Sequence, residues 1–81
     1  MASRNRSDVS GLQAQTALSR VLLEKVRQDN HPSFTQMNIL EQTLPRSLYR
    51  EYLTILLQKV IDEQWPSTSM LRRIQRFSAQ M

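Results

Sequence analysis

Two Pro-Ser breaks, Pro32-Ser33 and Pro66-Ser67, lie 34 residues apart and cut this chain into helix-length pieces. Proline has no amide hydrogen, and it pushes the residue before it out of the helical region. Serine directly after such a break is a favoured helix N-cap. A third proline, Pro45, falls between the two breaks. Within 81 residues this punctuation leaves room for four short helices and little else. Period-2 alternation is not sustained anywhere, and hairpin dipeptides such as Asn-Gly are absent, so no strand competes.

The apolar spacing fills those pieces. Leu18, Val21, Leu22 and Val26 form a helical stripe, with Arg20, Glu24, Arg27 and Gln28 largely opposite, predicting a first helix over about 13–29. Ser33 and Gln36 match a capping box for a second helix that buries Met37, Leu40 and Leu44, with Ile39 beside them, and stops at Leu44-Pro45. Pro45 suits the first turn of a third helix, with Ser47 a second candidate cap. Leu48, Tyr52, Ile55, Leu56 and Val60 mark its inner face, and Leu53, Leu57 and Ile61 widen it. This helix is predicted to end near Gln64. Ser67 or Thr68 caps the last helix, which points Met70, Leu71, Ile74 and Phe77 inward and Arg72, Arg73 and Arg76 outward. Residues 1–11 are polar and aperiodic, which predicts a flexible arm ahead of one helical domain over 12–81.

Leu22–Thr43 aligns without gaps on Leu56–Phe77. Leu22/Leu56, Leu23/Leu57, Lys25/Lys59, Val26/Val60, Pro32/Pro66 and Ser33/Ser67 are identical, and Asp29/Glu63 keeps its charge. Met37/Leu71 and Leu40/Ile74 are predicted to match in burial. The expected architecture is all-α: two tandem helical hairpins, about 12–44 and 45–79, packed as a four-helix bundle. Tetratricopeptide repeats share the period, but their tryptophan, glycine-tyrosine and alanine-phenylalanine positions are not matched. His31 aligns with Trp65, so the slot before the proline is expected to hold a flat ring packed under the turn. The pattern LLxKVxxD followed by Pro-Ser resembles small helical proteins of actinobacteria and their phages, over about residues 20–77. The resemblance implies no substrate, cofactor or catalytic residue.

Composition excludes several function classes. There is no cysteine for a disulfide scaffold or a zinc finger, and Gly11 alone cannot make a phosphate-cradling loop. No apolar run approaches a membrane span, and Arg4 and Arg6 are not followed by the apolar core of a secretory signal. A lone histidine and scattered carboxylates do not converge on a catalytic or metal site, so no enzyme activity, cofactor or small-molecule substrate is expected.

The formal net charge of +4 is unevenly spread along the chain. Arg4, Arg6, Arg72, Arg73 and Arg76 are therefore the candidate partner-binding residues, since guanidinium forks suit phosphate or carboxylate. Two readings follow. The first is a non-catalytic interaction or assembly module, reinforced by Ile39, Leu53, Leu57 and Ile61, which exceed what one small core buries. With the phage resemblance, its sharpest form is a small virion or capsid-associated component. The second is non-specific nucleic-acid contact through the terminal arginines. Localisation is expected to be cytoplasmic, or in the virion if the chain is phage-encoded.

Overall fold

The computed structural model describes residues 10–62 and 67–81. Residues 1–9 of the predicted arm, with Arg4 and Arg6, lie outside them, as do Glu63, Trp65 and Pro66, whereas Ser10 and Gly11, also assigned to the arm, cap and begin the first helix. Four α-helices follow in order: α1 (Gly11–Gln28), α2 (Phe34–Thr43), α3 (Tyr49–Ile61) and α4 (Thr68–Ser78). A 3-10 turn, Arg46–Leu48, leads into α3. No strand occurs among the described residues. Among them, no helix is long and apolar enough to cross a membrane. The predicted all-α pair of hairpins is what forms: α1 packs on α2, α3 packs on α4, and α1 also meets α3.

The caps explain the boundaries. Ser10 accepts from the Gln13 amide while the Gln13 side chain accepts from the Ser10 amide, so a complete capping box starts α1 at Gly11, two residues before the sequence expectation. At α2 the box is half made: Ser33 accepts from the Gln36 amide, but Gln36 does not return the bond and its Oε1 is buried without a partner among the described residues. Ser67, rather than Thr68, caps α4 through the Met70 amide. Ser47 caps nothing, because the 3-10 turn after Pro45 has no side-chain cap bond. Helix α3 ends at Ile61, three residues short of the predicted Gln64.

The core contains Leu23, Val26, Met37, Leu40, Leu44, Tyr52, Leu53, Ile55, Leu56, Met70 and Phe77. Phe77 meets both tyrosines edge-on, with centroids 4.8 Å from Tyr49 and 5.1 Å from Tyr52. Several predicted core positions are not there. On α1 the buried stripe is Ser19, Leu23 and Val26, whereas Leu18 and Val21 (67% exposed) face solvent. Leu57, Ile61 and Leu71 are also exposed.

Burial does not follow the repeat. The turn-defining residues repeat at 34, but burial repeats at 33. Ser19/Tyr52, Leu23/Leu56, Val26/Lys59, Met37/Met70, Leu40/Arg73 and Leu44/Phe77 are all buried on both sides. At an offset of 34 buried Met37 faces exposed Leu71, and exposed Lys25 faces buried Lys59. A one-residue slip turns a helix by about 100°, so α4 presents a different face relative to its serine cap than α2 does. In the expected ring slot His31 is exposed and Pro32 is the fully buried residue at the turn, while the matching Trp65 lies outside the described residues.

Candidate functional site

The polar groups inside the bundle meet where α2, α3 and α4 converge. Arg73 stands at the helical spacing that carries Met70 and Phe77 inward, and it is only 6% exposed. Its Nη1 donates to Glu41 Oε2 and to Asn38 Oδ1, both at 2.9 Å. Its guanidinium also sits 5.1 Å from the centre of the Phe34 ring. The Tyr52 hydroxyl donates to the same Glu41 oxygen at 2.5 Å. One carboxylate thus receives a cation and a phenol from two other helices. Burial, and then the bond and charge of Glu41, push the Tyr52 phenol far above its ordinary range. A phenol held in its protonated form is a donor and not a base. Among the described residues, Arg73 Nε is left without a hydrogen-bond partner.

A second buried cation closes the other end. Lys59 lies on the inner face of α3, and its ammonium donates to the carbonyls of Arg27 (3.1 Å) and Asp29 (2.6 Å). It thereby satisfies acceptors left open at the C-terminus of α1 and complements that end of the helix dipole. Burial lowers the Lys59 pKa, with Asp29 opposing the shift. Beside it a groove of about 290 Å³ is lined by Arg27, Thr54, Ile55, Gln58, Lys59 and Asp62. Arg27 bonds Glu51 across this edge and Glu24 along α1 at 3.2 Å. Asp62 accepts from Gln58 at 3.0 Å. Among the described residues no group of histidine, aspartate or glutamate is placed to hold a metal ion.

The predicted partner-binding arginines therefore separate. Arg4 and Arg6 lie outside the described residues. Arg72 and Arg76 are exposed, one turn apart on α4. Arg73 is not a surface residue: the carboxylate and amide of α2 draw it into the core, which corrects its outward assignment. Arg46 was not singled out in the sequence, yet its Nη2 reaches the Gln80 carbonyl (3.5 Å) just beyond α4 and its guanidinium lies 5.7 Å from the Tyr49 ring centre. Glu41, Tyr52 and Lys59 were equally hidden as polar centres. The available signal was spacing alone, since Lys59 and Arg73 both continue an apolar stripe. No protein-family model, curated protein or solved structure matches this chain.

Proposed function

We propose that this chain is a non-catalytic interaction module that assembles with other protein chains, further copies of itself among them. The observation that supports this reading is a second apolar stripe on α1. Ala14, Leu18 and Val21 are all exposed and follow the 3-4 spacing that lines one seam of a helix. The monomer uses the other stripe, Ser19-Leu23-Val26, to close its own core. The internal polar groups favour the same reading, because Glu41, Tyr52, Arg73 and Lys59 are committed to one another or to backbone carbonyls. A small virion or capsid-associated component is the specific form that the phage resemblance suggests.

Magnitudes set the expected strength. Burying what is exposed of Leu18 (43%) and Val21 (67%) in each of two copies contributes about 3–7 kcal/mol. Association itself costs about 4–15 kcal/mol. Self-association through this seam alone is therefore weak and concentration-dependent. Size-exclusion chromatography with light scattering, run at rising concentration, tests it. A mass that climbs toward a discrete oligomer supports the reading. A constant monomer mass, with no protein retained on the immobilised chain, contradicts it.

A further inference from the structure

The excess positive charge has a location in the fold. Among the described residues, Arg73 is matched by Glu41. Arg20, Lys25, Arg27 and Lys59 are balanced in number by Glu24, Asp29, Glu51 and Asp62. Four exposed arginines remain without an acid to match them: Arg46, Arg50, Arg72 and Arg76. Arg72 and Arg76 stand one turn apart on α4. Arg46 reaches the Gln80 carbonyl, just past the end of α4 and four residues beyond Arg76, so a third cation joins these two at that end of the helix. Arg50 lies in the first turn of α3, four residues after Arg46.

We propose that this arginine ridge binds the sugar-phosphate backbone of nucleic acid without reading its sequence. The surrounding surface is polar and donor-rich. Ser47, Ser69, Gln42, Gln75 and Gln80 are all exposed, and residues 67–81 contain no acid. Hydroxyl, amide and guanidinium groups are the usual phosphate contacts. A protein-docking patch would carry an apolar centre; of the large apolar side chains exposed among the described residues, Leu71 and Met81 lie on α4 or past its end and the other seven on α1, α2 and α3. The helix dipole does not account for the ridge. The C-terminus of α4 offers roughly −0.5 of a charge, which does not neutralise Arg46 and Arg76 together, and Arg72 lies outside the last turn. The ridge is on other helices than the α1 seam, so either assignment can fail without the other.

The test is fluorescence anisotropy of the full chain with a labelled mixed-sequence duplex, and with the corresponding single strand, over a salt series. Three or four phosphate contacts give a log–log salt slope of about −3 on the duplex and a shallower one on the single strand. Arg72→Gln with Arg76→Gln should lower the duplex slope by about 2 and weaken binding at low salt at least tenfold. Circular dichroism should stay unchanged, because both side chains are exposed. Arg20→Gln with Lys25→Gln removes the same charge from α1 and should leave the slope as it was. Equal losses from the two pairs would mean diffuse attraction to net charge and would overturn the ridge. Equal affinity for polyglutamate, or no binding to either strand form at low salt, would overturn phosphate recognition.

Discussion

Arg73 is where the chemistry of one side chain most changes the reading of the chain. An arginine is expected in solvent, since charged side chains are almost never fully buried unless paired. Here Glu41, Asn38 and the Phe34 ring supply that pairing. The sequence points Arg73 outward beside the stripe Met70-Leu71-Ile74-Phe77, because its partner Glu41 is 32 residues away and comes close only through tertiary packing. Removing one member of a buried pair leaves an uncompensated charge. Arg73→Met should therefore destabilise the fold by about 3 kcal/mol, read as a lower urea midpoint at unchanged slope. Combining it with Glu41→Gln removes the orphaned charge and should recover most of that loss.

Tyr52 gives the pH signature of the same cluster. Its folded pKa lies above its unfolded value of 10.0, so its contribution to stability is complete below pH 10. Above that pH the unfolded chain loses a proton that the folded chain keeps, and stability falls as pH rises. Tyr52→Phe should cost about 1.5 kcal/mol at neutral pH through the lost bond to a carboxylate. It should also flatten the alkaline fall relative to wild type in denaturation curves taken on either side of pH 10.

Among the elements, the starts of α2 and α4 were legible, those of α1 and α3 were not, and the helix faces were only partly so. Serine after proline fixed the starts of α2 and α4, because capping is a local interaction between neighbours. The buried face of α1 is not a local choice. That helix carries two apolar stripes about a third of a turn apart, and packing against α2 selects Leu23 and Val26 over Leu18 and Val21. Length sharpens the contrast. α1 runs for about 27 Å and α2 for only about 15 Å, so the first turns of α1 extend past their partner. Leu12, in line with the buried stripe, is 75% exposed. The two serine caps should consequently behave differently. Ser33→Ala should lower global stability by about 1 kcal/mol. Ser10→Ala should fray the first turns of α1, visible as faster amide exchange before residue 16, with little change in the unfolding midpoint.

For the whole molecule, the radius of gyration of 14.7 Å exceeds the value of about 12 Å for a compact chain of this length. The outline is correspondingly elongated, 52 × 24 × 18 Å. The two surfaces then divide the molecule: an apolar seam on α1, and an arginine ridge on α4 and the junction that feeds α3. The ridge could not be read along the chain, where Arg46 and Arg50 sit in a nearly neutral middle region. Folding places Arg46 at the end of α4 and withdraws Arg73 from it.

The assembly role rests on the α1 seam, and sedimentation velocity of the full chain beside Leu18→Glu with Val21→Glu tests it most directly. Wild type should sediment faster as concentration rises, while the variant stays a monomer with unchanged helicity, because neither side chain belongs to the monomer core. Identical, concentration-independent sedimentation of the two chains would contradict the assignment.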